Sequence, residues 1–542
     1  MNLKRPPILR DTLTVRTRYG WYRYNMIFLV LISTLAVLLV ASYGILRRNY
    51  GYWKKRNVVH PEPTTGLGNY GEHILLRKHI SQVIQDILNK YPKEPYVGAF
   101  VGTEPVLLVQ DPELVKLITT KDFYYFHGRE LSNFVNKENS TQNLFGDAGD
   151  RWKVTRQNLT PIFSSAKMKN MFHLIANCAA EFEKIMDTEF ALSNKIEVRN
   201  LMARYTLACI CSCGFGVDVN MSESYKDNPF LNIGDVIFDS SSKKAFKNNL
   251  RSIWPTLFYA LRMVIVPDSV EHFFRALLTK VFEGRNYKPT TRNDFVDMLL
   301  NLKEKQQVVG DSIHNIKTKD EKKCHLPVTD NFMIAQCVVF FAAGFETSAT
   351  TLSYTLFEIA KNREVQKKAQ KEVDEFVAKH QNKLSYDCVT DLPFTESCID
   401  EALRLHPVLG WITREVMEDY VLPSGLKLDK GLRVHIPVYH LHHNPDLFTD
   451  PETFRPERFS PEERDNIVPH SYIPFGDGGR LCIGMRFAKM QMLAGLVTLL
   501  KKYNVELAEG MPTKLNYEPR SGVTQPIGGI NLKFTLRDST SY

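Results

Sequence analysis

Residues 26–46 form a run of 21 residues without a single charge. As a helix rising about 1.5 Å per residue, such a run spans roughly 30 Å, the thickness of one hydrocarbon core. Arg47, Arg48, Lys54, Lys55 and Arg56 follow at once. A cleaved signal peptide would carry a shorter apolar stretch and a small-residue cleavage site in place of that basic stop. A buried core helix is the alternative, which the length and the basic flanks disfavour. The run is therefore predicted to be a transmembrane anchor, with the bulk of the chain on the cytoplasmic side. Upstream, Lys4, Arg5, Arg10, Arg16, Arg18 and Arg23 stand against a single Asp11, so positive charge alone leaves the orientation open. Residues 1–25 are expected to be a disordered, dispensable basic extension. A mitochondrial leader is the rival reading, because the segment is rich in arginine and nearly free of acid.

Behind the anchor, residues 47–70 read as a basic linker, stiffened and turned by Pro61, Pro63, Gly66 and Gly68. No further composition break follows, so residues 71–542 are expected to form one domain. Most of that domain has the spacing of helices, with extended segments near 95–110, 412–437 and 526–537. The predicted class is α+β, mainly α with small β-sheets. Hydrophobic residues make up 44% of the chain, enough for a large core and an apolar pocket. The net charge of +9 is too dispersed for a nucleic-acid footprint, but it suits an acidic partner or an anionic membrane surface. Nine cysteines, an odd number without framework spacing, indicate a reduced, cytosol-facing protein. The sequons at Asn139, Asn158 and Asn220 are then accidental. The charged stretch 310–323 reads as a surface loop with nothing to bury. Residues 253–266 are apolar but too short to span a bilayer; they are read first as a core helix and second as a surface dipping into the membrane.

The strongest chemical signal is Phe475-Gly-Asp-Gly478-Gly479-Arg480-Leu-Cys482-Ile-Gly484. Its glycines allow an irregular backbone that can lie close to a flat ligand. Residues 486–503 follow, with Phe487, Met490, Ala494 and Val497 at helical spacing. Cys482 is thereby set at a helix start, where the dipole favours a thiolate. A single soft thiolate suits an iron porphyrin better than zinc, which wants three or four clustered ligands. A lone cysteine is ordinarily an inert core thiol; the glycine and arginine setting argues otherwise here.

Phe-x-x-Gly-x-Arg-x-Cys-x-Gly is similar to the haem-binding signature of the cytochrome P-450 superfamily. Phe475, Arg480, Cys482 and Gly484 match its fixed positions, and Gly479 stands where many animal members have proline. The resemblance runs from the anchor to the last strand. It implies the cytochrome P-450 fold behind a single N-terminal transmembrane helix, with haem b bound through the Cys482 thiolate.

Three more motifs come in the family's order. Ala343-Gly344-Phe345-Glu346-Thr347-Ser348 lies in an apolar helix over about 332–357. Ala343 and Thr347 share a helix face, and a threonine that bonds back to a carbonyl can open a groove. In the family this is the distal helix, where Glu346 and Thr347 would pass protons to iron-bound dioxygen; without the resemblance it would be a plain buried helix. Glu401 and Arg404 predict an ion pair within one helix, and Arg458 in Phe454-Arg-Pro456-Glu457-Arg458-Phe459 would complete a buried charge network bracing the haem core. Trp152 and Arg156 fall on one helix face suited to a haem propionate, with Arg480 and Arg414 as further propionate partners. Without the signature, Trp152 and Arg156 would read as a surface cation–π pair. His435, His440, His442 and His443 are expected to be solvated or turn-bonded rather than metal ligands.

Gly-Asn after the linker, the Glu-Thr-Ser ending and Phe-Arg-Pro-Glu-Arg-Phe look like the insect family 6 microsomal enzymes, many of which oxidise plant toxins and insecticides. The resemblance implies reductive activation of dioxygen and insertion of one oxygen atom into a lipophilic small molecule at the endoplasmic reticulum membrane. No flavin or nicotinamide motif is present, so electrons would come from the NADPH-cytochrome P-450 reductase, sometimes with cytochrome b5. Lys489, Arg486 and Lys153 are candidate docking charges. Offsets from the motifs place Phe145, Phe340, Val408, Leu409 and Val523 in the substrate pocket. Three rivals stay open: a monooxygenase of an endogenous hormone or lipid, a haem-thiolate isomerase or dehydratase, and a membrane-bound binder of haem or lipophiles without turnover.

Overall fold

The computed structural model describes residues 11–222 and 228–538. Helix α1 (Asp11–Arg47) projects from the rest, and its apolar stretch Asn25–Arg47 has no buried residue. The expected disordered extension is thus helical from Asp11 onward, while residues 1–10 lie outside the described residues. No proline follows Pro7 before the apolar run, and extending a nucleated helix costs far less than starting one.

The linker is docked rather than free. Trp53 is fully buried and donates its indole N–H to the Ala99 carbonyl at 2.9 Å. The Tyr50 hydroxyl bonds the carbonyl of Thr64 at 2.9 Å and that of Gly102 at 3.2 Å. Gly98 is required opposite Trp53, since a Cβ there would lie 2.5 Å from the indole.

Behind this docked linker the domain is mainly helical, with eleven strands among the described residues. They are β1 (Tyr96–Val101), β2 (Glu104–Val109), β3 (Lys195–Glu197), β4 (Gln307–Asp311), β5 (Lys323–Pro327), β6 (Ile412–Glu415), β7 (Tyr420–Val421), β8 (Lys427–Leu428), β9 (Arg433–Ile436), β10 (Tyr503–Leu507) and β11 (Asn531–Leu536). The largest sheet runs β1-β2-β9-β6 and a second runs β10-β11-β3. Strand β10 begins where helical spacing was expected to continue. Beyond Leu500 the burial alternates, with Tyr503 and Val505 inward, the period of a strand.

The helices that frame the interior are α2 (Ile80–Leu88), α3 (Gly149–Leu159), α4 (Ser165–Leu192), α5 (Val198–Ile210), α6 (Ser242–Ile253), α7 (Pro255–Ala260), α8 (Phe295–Lys305), α9 (Asp330–Lys361), α10 (Pro393–Leu405) and α11 (Met485–Leu500). Helix α9 threads the centre. The Thr329 side chain caps its start by accepting from the Phe332 N–H, and α9 packs chiefly along α5. Because it is buried nearly all round, its apolar residues show no single stripe.

Three expectations need correction. Stretch 310–323 is not a loop with nothing to bury. Strands β4 and β5 pair as a hairpin, and Val308 and Ile313 are buried at 2% exposure. Asp150 of α3 holds it by accepting from the Ser312 hydroxyl and the Ile313 N–H. Residues 253–266 do not make a core helix. Pro255 cannot donate to a continuing ladder and opens the short α7 instead. Trp254, Leu257, Leu261 and Val264 are exposed beside Phe246, while Ile253 and Phe258 are buried. Finally, the four histidines are buried, so the solvated alternative fails, while His443 is turn-bonded as the other alternative had it. His440 bonds Gln110, His442 accepts from the Ile473 N–H, and His443 bonds the Tyr439 carbonyl. Burial lowers His440 to about 4 and His443 to about 3. No metal-type cluster occurs among the described residues.

Candidate active site

The segment 475–484 is a tight loop closed by the Cys482 N–H on the Phe475 carbonyl at 2.9 Å. Two of its glycines answer to protein contacts rather than to a ligand. Gly478 sits at φ +62° with the Thr119 carbonyl 1.8 Å from any added Cβ, and Gly479 backs onto the Phe123 ring. Asp477 clasps the loop by accepting from the Thr119 hydroxyl and from His470, each at 2.7 Å.

Of the nine cysteines Cys482 alone is exposed, yet it lies deep. Burial pushes its thiol up, while the Gly484 N–H and the charges of Arg156 and Arg129 pull it back down. A group both reachable and desolvated opens on an enclosed space. Ala343 of α9 is exposed in the same sense, within a helix whose neighbouring turns are buried. Phe163 ties the two walls together. Its ring lies 5.6 Å from that of Phe340 and 4.0 Å from where a Gly484 Cβ would stand.

Four guanidiniums converge on this space. Arg480 donates to the carbonyls of His127, Leu144 and Asp147 and lies 4.3 Å over the Trp152 ring. Trp152 thus pairs with Arg480, not with Arg156 one turn on. Arg414 is 2% exposed and bonds only its neighbour's carbonyl; its Nε and one Nη are buried without partners, as is the Nε of Arg129. Burial, with Arg414 alongside, lowers Arg129 to about 9. Burial likewise lowers Arg414 to about 10. Arg480 is driven down by burial and by Arg129 and Arg414. Guanidinium does not deprotonate in proteins, so these shifts express the cost of burying cations without counter-charges. An anionic ligand with two carboxylates and a metal that accepts a thiolate would relieve it, and haem meets that description.

Glu346 and Thr347, adjacent on α9, face different ways, because successive helix residues are about 100° apart. The Thr347 hydroxyl donates to the Ala343 carbonyl at 2.6 Å. Glu346 is 1% exposed, and its Oε1 accepts from Arg199 Nη2 at 2.6 Å, Arg199 Nε at 3.2 Å, Gln525 at 2.9 Å and Thr350 at 3.1 Å. The loop that supplies Gln525 also carries Val523. It is pinned to the segment of Val408 by Thr524, which donates its N–H to the Val408 carbonyl at 3.0 Å and its hydroxyl to that of Pro407 at 2.9 Å.

Glu401 and Arg404 form two 2.8 Å bonds at zero exposure, and Arg458 joins Glu401 at 3.3 Å. Arg404 also donates to the carbonyls of His442 and Pro451, tying α10 to the chain ahead of the cysteine loop. The other site expectations divide. Val408 and Val523 are buried side by side, and Leu409 is half-buried. Phe145 is exposed beneath the Arg129 guanidinium, 3.6 Å from its ring. Phe340 is a packing residue, wedged between Phe163 and Phe295. Lys489 is not free to dock a partner, since Glu396 and Asp400 hold it at 2.6 and 3.1 Å. Arg486 is exposed and Lys153 half-buried.

Three residues went unseen in the sequence. Arg129, Arg199 and Gln525 reach the site from segments far apart in the chain, with no spacing signal to mark them.

Residues 61–534 match the family profile described as cytochrome P450. Cytochrome P450 6B7 of Helicoverpa armigera is 36% identical over 514 residues, covering 95% of this chain and 99% of that one. Cytochrome P450 6a2 of Drosophila melanogaster is 33% identical over 515 residues, covering 93% and 99%. A mainly helical domain with a reachable thiol at depth, ringed by guanidiniums that have no carboxylate partner among the described residues, is the frame of a haem monooxygenase. The chain belongs to the cytochrome P450 family, among its insect family 6 relatives.

Proposed function

We propose that this chain is a microsomal monooxygenase that inserts one oxygen atom of O2 into lipophilic xenobiotics such as plant toxins or insecticides. Electrons come from the NADPH-cytochrome P-450 reductase, sometimes with cytochrome b5. The observation that carries the reading is the set of buried guanidiniums without carboxylate partners around the reachable Cys482. Arg129, Arg156, Arg414 and Arg480 would hold the two propionates of haem b, and the Cys482 thiolate would ligate its iron. When bound, haem supplies dioxygen activation, with thiolate electron density favouring O–O cleavage. Thr347 holds a proton-bearing hydroxyl at the groove edge beside Ala343, and Glu346 holds a carboxylate one residue away. Val408, Leu409 and Val523 supply an apolar wall that excludes water, which selects for lipophilic substrates without naming one. The exposed Arg486 and the half-buried Lys153 offer positive charge to an acidic reductase. Anchor α1 and the exposed apolar edge of α7 hold the domain at the cytoplasmic face of the endoplasmic reticulum, and residues 1–25 are dispensable for that targeting.

Two measurements test this. Reduced protein under carbon monoxide shows the red-shifted Soret band of thiolate ligation, and Cys482→His abolishes it; a band that survived the substitution would remove Cys482 as the ligand. Protein reconstituted with the reductase then forms NADPH-dependent product from a panel of plant toxins, insecticides and insect hormones. Products from hormones alone would reassign the chain to an endogenous role. Ligand binding without any product would make it a binder.

A further inference from the structure

A cavity away from Cys482 lies against the two chain segments that carry Val408 and Val523. It holds about 180 Å3 of free volume and opens in part to solvent, between α2, α6, strand β9 and loop 519–522. Its wall is apolar at Leu76, Ile80, Val101, Ile253 and Trp411, and one carboxylate, Glu130, reaches it. Trp411 stands two residues after Leu409, beyond Gly410, and Gly522 directly precedes Val523, so the cavity is lined from the same two segments that carry the proposed pocket residues. On its outer side α6 runs into the exposed Trp254 and Leu257, the edge a lipophile leaving a bilayer would meet first.

Glu130 is positioned with care. Its Oε1 is bonded to His435 Nε2, and Tyr70 braces the other ring nitrogen at 2.9 Å. Arg433, close by, is turned onto the Ser252 carbonyl and hydroxyl. Arg520 on the opposite wall is spent on Glu518, at 2.5 and 2.9 Å. Oε2 of Glu130 has no hydrogen-bond partner among the described residues. Against the upward push of burial, His435 and Arg433 hold this carboxyl down at about 2, so it is an acceptor at any working pH.

We propose that this cavity is an antechamber that binds a lipophilic molecule bearing one hydrogen-bond donor, a hydroxyl or an amine, with the donor on Glu130 Oε2 and the hydrocarbon against Trp411 and Ile80. It rests on the reading that the substrates are lipophilic, and it adds a selection step before the reacting pocket. Donor-bearing lipophiles are concentrated next to the wall, and their masked ethers are not.

The test is a titration of the haem-loaded, full-length protein with geraniol and with geranyl methyl ether. Trp411 emission is taken as the difference from Trp411→Phe, and the Soret position is followed in parallel. Geraniol should change Trp411 emission, the ether should bind more weakly, and Glu130→Gln should weaken geraniol about tenfold while leaving the ether unchanged, as expected for losing one hydrogen bond to a charged group. Equal affinity for the two probes, or an unchanged geraniol affinity in Glu130→Gln, overturns the proposal. Should Glu130→Gln fail to fold, Ala245→Leu fills the cavity from α6 and should remove the emission response with the carbon monoxide band intact; a response that persists also overturns it. NADPH-dependent product from geraniol without a Trp411 response sinks the antechamber and leaves the monooxygenase standing. A Trp411 response without product from any lipophile supports the antechamber and sinks the oxidation reading.

Discussion

Arg199 Nη2 lies 2.6 Å from Glu346 Oε1, an ion pair that joins the first turn of α5 to the middle of α9. The guanidinium is partly exposed, at 29%, and the carboxylate is not. The acid expected to serve the reacting centre is therefore held from the far side, by a cation that reaches the surface.

Removing that cation leaves a buried carboxylate facing only Gln525 and Thr350. Arg199→Ala should lose about 2–3 kcal/mol of stability, below the full cost of breaking a buried pair because Arg199 is partly hydrated. Denaturant titration of Arg199→Ala, Glu346→Gln and the double variant measures the coupling. Strictly additive losses would mean that the pair contributes nothing beyond its members.

Thr347→Ala removes only the 2.6 Å bond to the Ala343 carbonyl, so haem content, substrate binding and stability should change little, by less than about 1 kcal/mol. Proton delivery should suffer, with less product per NADPH and more peroxide released. An unchanged ratio of product to NADPH takes Thr347 out of the proton path.

For Arg129 the two states of the protein should respond with opposite sign. In the haem-free protein Arg129→Gln thins a cluster of like charges, so stability should hold or rise slightly. In the loaded protein a charge-assisted bond to a propionate is lost, and haem affinity should fall about tenfold or more. Haem transfer to apomyoglobin reads the second effect and thermal unfolding of the apoprotein the first. A parallel fall in both would make Arg129 a purely structural residue.

Acid should unfold this protein early. His440 and His443 titrate near 4 and 3 when folded, against about 6.5 unfolded. Below pH 6.5 the unfolded chain binds more protons, so stability falls with falling pH until the folded values are reached. Each such histidine contributes a slope of about 1.4 kcal/mol per pH unit in that window. His440→Gln should flatten the measured slope between pH 6.5 and 4.5 by about that amount, and an identical slope would count against the buried neutral imidazole.

What the sequence made legible was whatever a short local pattern carries. Cys482, Glu401 with Arg404, and Thr347 each sit within a few residues of the partner that gives them meaning. Helix α9 was legible for the same reason, as an apolar run of helical length. Arg129 and Arg199 were not, because no local spacing links Arg129 to Cys482 or Arg199 to Glu346, which lies 147 positions away. Lys489 misled because charge on a helix reads as surface until Glu396 and Asp400 are brought beneath it. The 310–323 stretch misled because Ile313 within it and Val308 just before it suffice to dock a hairpin that is otherwise polar. The break at Pro255 was written in the sequence, and only the apolar composition around it argued for a core helix.

Thr524 pins loop 521–525 to the backbone of Pro407 and Val408, and the next residue, Gln525, reaches Glu346. One short segment therefore carries both a piece of the pocket wall and a support of the acid. Under the function proposed above, selection for a new substrate would act first on such wall residues. A change at Val523 large enough to shift the loop would also disturb the Gln525 contact, and broader tolerance would then come with electrons wasted as peroxide. Lineages of this chain should adapt more freely through Leu409, on the opposite segment, than through Val523.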